Sequence, residues 1–122
     1  MALFLNAKAP DTKVVYLLTG EKINYYAPLI KAVAMVESSM RPRVINIEEQ
    51  AYGLLQIRKC RLDSYNKLTD KDYQLTDCLN PDVAKEIFMY YTKGRDYESV
   101  ARSWNGSGEM TIAYWQKVKA KL

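Results

Sequence analysis

Glu37 is a carboxylate where an amphipathic helix would ordinarily carry a hydrocarbon. Ile30, Val33, Ala34 and Glu37 fall on one helical stripe, so Glu37 continues the face that the preceding apolar residues bury. A carboxylate withdrawn from water without a partner holds its proton to higher pH. A carboxylic acid still protonated near neutrality is what acid-catalysed cleavage of a sugar ether requires. Other chemistries are closed off by composition. The chain has no histidine, which excludes a His-based triad, a His general base and a His-ligated metal. Cys60 and Cys78 are its two cysteines and have no CxxC spacing, so neither a metal site nor a cofactor is expected. The pair either forms a disulfide that closes the loop 61–77 or remains two separate buried thiols.

Two further segments carry groups that could join Glu37 in a cleft. Gln56 lies between Leu55 and Ile57, and a long amide in an apolar run must find hydrogen-bond partners. It is either a satisfied core amide or a cleft-lining group for amide and hydroxyl oxygens of a sugar. Gly53 just before it marks a turn. Trp104-Asn105-Gly106-Ser107-Gly108 is either a plain helix C-terminus, which Asn and Gly favour, or a loop at the same cleft. The ten tyrosines and two tryptophans could stack on sugar faces or line the core and its boundary.

Holding these groups together calls for helices. At 122 residues the chain suits one domain with a single core. Residues 1–20 read as an irregular lead-in, with 14–18 a short strand or a helical turn. Helices are expected over about 24–39, 58–67, from 80 to Gly94, over 97–104, and from Thr111 onward. The second should bury Leu62 and Tyr65, and the third Val83, Ala84, Ile87, Phe88 and Tyr91. The fourth should bury Tyr97, Val100, Ala101 and Trp104, and the last Ile112, Trp115, Val118 and Leu122. Residues 70–77 read as a polar loop. The fold class is mainly α, with at most a small β-hairpin near 43–57.

Net charge is +4 with a pI near 9.0, which suits an anionic polymer, but the lysines are scattered apart from Lys117, Lys119 and Lys121. No basic stripe supports nucleic-acid binding. No membrane span is expected, and residues 1–5 are too short an apolar run for a signal peptide.

In order and spacing, four blocks resemble the lytic transglycosylase (SLT-like) family of the lysozyme superfamily. They are Glu37-Ser38-Ser39, Ala51-Tyr52-Gly53-Leu54-Leu55-Gln56-Ile57, Ala101 to Gly108, and Tyr114-Trp115-Gln116-Lys117-Val118. The likeness runs over about 27–120, and the Asn80-Pro81 helix start is similar to a segment of the family too. It implies a lysozyme-like helical domain that cleaves the β-1,4 bond between N-acetylmuramic acid and N-acetylglucosamine in peptidoglycan. Glu37 matches the catalytic acid, and Tyr114 the aromatic near it. The substrate-binding positions implied are Ser38, Tyr52, Gly53, Leu55, Gln56, Trp104 and Asn105. Trp104 stands where the family usually has Tyr. The family's loop serine between Glu37 and Gln56 is missing, and Asn46 is the nearest polar candidate.

A transglycosylase needs one carboxylate, acting as acid and then as base. A hydrolytic lysozyme usually needs a second, for which Glu48, Glu49, Asp63 and Asp77 are available. A non-catalytic peptidoglycan-binding module is the reading from another class. Glycan strands are the implied partner, the periplasm or envelope the implied location, and an envelope, secretion, conjugation or phage machine the implied setting.

Overall fold

The computed structural model describes residues 14–16 and 22–122. Residues 1–13 and 17–21, most of the expected lead-in, lie outside the described residues. Strands β1 (Val14–Tyr16) and β2 (Lys22–Asn24) pair antiparallel, with Val14 opposite Asn24. This small sheet is additional to the one hairpin expected, and it resolves 14–16 as strand rather than helical turn.

Helix α1 (Ala27–Ser38) runs through the middle of the core. It starts later than the apolar pattern suggests because Asn24 Oδ1 accepts from the Tyr26 amide at 2.9 Å, which closes a turn before the helix. Pro28 falls in its first turn, where a missing N–H costs nothing. Leu29, Ile30, Ala32, Val33 and Ala34 are buried. Ser39 and Met40 end the helix in left-handed conformation, and the Met40 amide returns to Ala34 O at 3.2 Å.

Strands β3 (Ile45–Asn46) and β4 (Ala51–Tyr52) form the hairpin, with Ile45 opposite Tyr52. Tyr52 and Ile57 then exchange backbone hydrogen bonds of 2.9 and 3.0 Å, closing 53–56 into a tight turn. Leu54, Leu55 and Ile57 plug this turn into the core. Helix α2 (Lys59–Thr69) buries Leu62 and Tyr65 as its spacing predicts. The stretch expected to be a polar loop ends instead in a 3-10 turn, Leu75–Leu79, closed by reciprocal bonds between Gln74 and Asp77. Its Cys78 is buried.

Helix α3 (Pro81–Tyr90) is capped by Asn80, which accepts from the Asp82 amide at 2.9 Å. It buries Ala84, Ile87 and Phe88. Helix α4 (Tyr97–Asn105) is capped by Asp96 through the Ser99 amide at 2.7 Å. Helix α5 (Met110–Lys119) packs against both α4 and α1. Its buried face is Thr111, Tyr114 and Val118, not the expected set of Ile112, Trp115, Val118 and Leu122. Ile112 and Leu122 are exposed. The helix is rotated because two polar side chains are satisfied inward. The Thr111 hydroxyl donates to Gly108 O at 2.6 Å and accepts from Arg102 Nε at 3.0 Å, while Tyr114 reaches Glu37.

The tyrosines serve mainly the core. Tyr25, Tyr26, Tyr65, Tyr97 and Tyr114 are all buried, where a phenol hydroxyl usually needs a partner. Tyr97 donates to Tyr25 O at 2.6 Å and Tyr26 to Arg95 O at 2.8 Å. The cysteines are free thiols, Cys60 exposed and Cys78 buried. No helix among the described residues is long and apolar enough to cross a membrane.

Candidate active site

The end of α1, the turn after the hairpin, the start of α2 and the junction of α4 with α5 meet around a cleft of about 460 Å³. Five sequence-predicted residues line it: Glu37, Gln56, Trp104, Asn105 and Tyr114. Glu37 is half-buried at the end of the apolar stripe. Burial raises its carboxyl above the ordinary carboxylate value, and the nearby Glu49 pushes in the same direction. Tyr114 and the charge of Arg58 oppose this more weakly.

Tyr114 Oη donates to Glu37 Oε2 at 2.7 Å, which leaves Oε1 to carry a transferable proton. The tyrosine is itself buried beside a carboxylate, so its phenol is pushed far above its ordinary value and stays a donor. Because this bond favours the charged form of Glu37, Tyr114→Phe should raise the Glu37 pKa further. The alkaline limb of the pH–rate profile would then move to higher pH while turnover falls through lost orientation. A limb that stayed in place would show that Tyr114 does not tune the acid.

Gln56 adopts a left-handed backbone, φ 52°, which a non-glycine residue holds only at a cost. Its side chain compensates by donating Nε2 to Gly53 O at 3.0 Å and to Val44 O at 3.3 Å. Both amide hydrogens are thereby committed, and the atom left to meet a ligand is the acceptor Oε1. Trp104 is similarly engaged: its indole N–H donates to Leu55 O at 3.2 Å and its ring packs on Phe88. It anchors α4 to the turn, and part of it lines the cleft. Asn105 is exposed at the cleft rim, as the last residue of α4.

The other predicted positions lie behind or beside this cleft. The Ser38 side chain is buried, with Oγ donating to Leu54 O at 2.8 Å and accepting from the Arg41 amide at 3.2 Å; it ties α1 to the turn. Leu55 is fully buried because it belongs to the plug. Gly53 is enclosed against the backbone of Cys78 and Pro42. Tyr52 is half-buried against the core. Asn46 is exposed and accepts from the Glu49 amide at 3.2 Å, bracing the hairpin turn.

The cleft also contains residues that the sequence did not single out. Arg61 lies over the rings of Trp104 and Tyr91, 4.3 and 4.9 Å from their centroids. Its Nη2 donates to Trp104 O and Ser103 O at 3.0 and 3.2 Å, satisfying carbonyls at the C-terminus of α4. The readable signal was its position four residues before Tyr65, on the border of the buried stripe. Arg58 and Glu49 form an ion pair on the hairpin side. Of the four candidate second carboxylates, Glu49 alone lines the cleft. Asp63 pairs with Lys59 at 2.9 Å and Asp77 closes the 3-10 turn.

A larger depression of about 770 Å³ lies between α4 and α5. Its acids are exposed and otherwise engaged, Asp96 as a helix cap and Glu98 with Arg102. The smaller cleft is the one that withdraws a carboxylate from water, and that makes it the chemical candidate.

The comparisons with curated proteins and with solved structures each returned no match. The family model of the transglycosylase SLT domain matches residues 19–121, nearly the whole of the chain. The protein therefore belongs to the transglycosylase SLT domain family.

Proposed function

We propose that the protein is a peptidoglycan lytic transglycosylase acting on the bond between N-acetylmuramic acid and N-acetylglucosamine, with Glu37 as acid and then base. The observation that carries this reading is a carboxyl held up by burial at the cleft wall and oriented at one oxygen by Tyr114. Protonated Glu37 donates from Oε1 to the glycosidic oxygen as the C1–O bond breaks, and the departing sugar leaves as an alcohol. The resulting carboxylate takes the proton of the muramic 6-hydroxyl as that oxygen bonds to C1. Glu37 ends protonated, no water is consumed, and the product is a 1,6-anhydro ring.

The substrate's own N-acetyl group would assist at C1. Gln56 Oε1 and Asn105 are the polar groups that would orient sugar hydroxyls and amides, beside the part of Trp104 that lines the cleft. Peptidoglycan places the site of action in the periplasm or envelope.

A hydrolytic reading is favoured by one observation, the presence of Glu49 in the same cleft. Retaining and inverting hydrolysis both use a second carboxylate, but Glu49 is paired with Arg58. Mass spectrometry of digested sacculi separates the readings. Anhydro-muramic ends are expected, reducing ends would replace the transglycosylase by a muramidase, and the absence of any cleavage would favour a binding module.

A further inference from the structure

We propose that Arg58 is a recognition site for a carboxylate carried by the muramyl residues of the substrate, an inference that rests on the peptidoglycan reading above. Two guanidinium groups line the cleft, and their circumstances differ. Arg61 is half-buried, lies over two aromatic rings, and is bonded to two helix carbonyls. Those contacts fix it as part of the wall. The Arg58 side chain is 55% exposed, and its contact among the described residues is through Nη2 to Glu49 Oε1.

A guanidinium has five N–H donors in a planar fork. With Nη2 engaged by Glu49, further donors remain for the cleft. An ion pair this exposed contributes little, so an incoming carboxylate can share or replace Glu49 with little loss. Glu49 nonetheless aims the guanidinium, since both residues line the same wall.

Charge balance in the cleft argues the same way. Glu37 and Glu49 are both acids, and Arg58 lies near enough to each to act on the one and pair with the other. With Glu37 protonated, the two arginines outnumber Glu49 in the cleft, so its wall is net positive toward an anionic strand. Muramyl residues carry acid in one of two forms: carboxylates along an attached peptide, or the lactyl carboxylate itself when the peptide is absent. Arginine matches either through paired, parallel hydrogen bonds that lysine cannot reproduce.

The experiment measures binding in a Glu37→Gln background, where turnover does not deplete the ligand. The ligands are peptide-bearing muramyl strands, amidase-stripped strands with free lactyl carboxylates, and uncharged chitooligosaccharides. Adding Arg58→Gln is expected to weaken carboxylate-bearing strands about tenfold, the loss of one charge-assisted contact. Chitooligosaccharide affinity should not change, and Arg58→Lys should restore only part of the loss. A loss confined to peptide-bearing strands identifies a peptide carboxylate, a loss confined to stripped strands identifies the lactyl carboxylate, and a loss on both shows that Arg58 takes either. Equal losses on all ligands, or none on any, overturn the proposal, because Arg58 would then only shape the wall or do nothing. If sacculi are cleaved normally while Arg58→Gln has no effect on binding, this inference fails alone. If no muramyl strand is bound or cleaved, the reading beneath it fails as well.

Discussion

Glu37→Gln is expected to lower turnover of peptidoglycan by about 10²–10⁴-fold while leaving the fold and glycan binding in place. The amide keeps the volume of the acid and can still accept from Tyr114 Oη, so the 2.7 Å contact has a successor and the cleft its shape. What is lost is a proton that can be given up and taken back.

The same substitution has a signature in stability. The folded-state pKa of Glu37 is raised by burial, so between the ordinary carboxylate value and the raised one the folded state binds more protons than the unfolded state. Stability associated with this group is therefore fully present at low pH and declines as pH rises through the raised pKa. Gln has no such titration. The variant should melt above the parent near neutrality, and that advantage should vanish as pH falls below the ordinary carboxylate range. Thermal melts across pH beside rate measurements on sacculi test both halves. Substantial retained turnover would remove Glu37 from the role of acid, and a melting difference independent of pH would remove its burial from the explanation.

Helical spacing located a withdrawn carboxylate because burial on a helix follows a simple periodicity, and Ile30, Val33 and Ala34 do precede Glu37 on the buried side of α1. The same reasoning failed on α5. There Ile112 and Trp115 looked like the inward residues, but two polar groups with partners waiting inside, Thr111 and Tyr114, set the rotation. A hydroxyl with a buried partner is invisible until that partner is placed.

Ser38 shows the same limit from the other side. The family likeness implied substrate contact for Ser38, yet on a helix adjacent residues diverge by about 100°, and Ser38 turns into the core to hold Leu54 O. In the sequence Arg58 and Arg61 are simply charges near the start of a helix. Only the third dimension brings one against the rings of Tyr91 and Trp104 and the other beside Glu49.

Gly53→Ala is expected to destabilise the fold by at least about 4 kcal/mol, the range reached only by a few severe mechanisms. Two of them coincide here. Gly53 has φ +83°, and a Cβ built on it would lie 2.0 Å from the backbone oxygen of Cys78. Neither side can give easily. The Gly53 amide donates to Val44 O at 2.7 Å and its carbonyl accepts from both the amide and the side chain of Gln56. Cys78 is fully buried in the 3-10 turn opposite.

Gly108 separates the two contributions, since its φ is +84° while a Cβ there would meet nothing within 4 Å. Gly108→Ala should therefore carry the backbone cost alone, about 1–2 kcal/mol, and the excess at Gly53 measures the collision. Denaturant unfolding of both variants would show it, and equal losses would mean that the 3-10 turn yields freely. The consequence reaches the cleft. The turn that Gly53 keeps against Cys78 holds Gln56 at the cleft wall, and its Leu54 and Leu55 carbonyls receive Ser38 and Trp104. A Gly53→Ala chain that still folds at low temperature should accordingly bind glycan poorly even with Glu37 and Tyr114 intact.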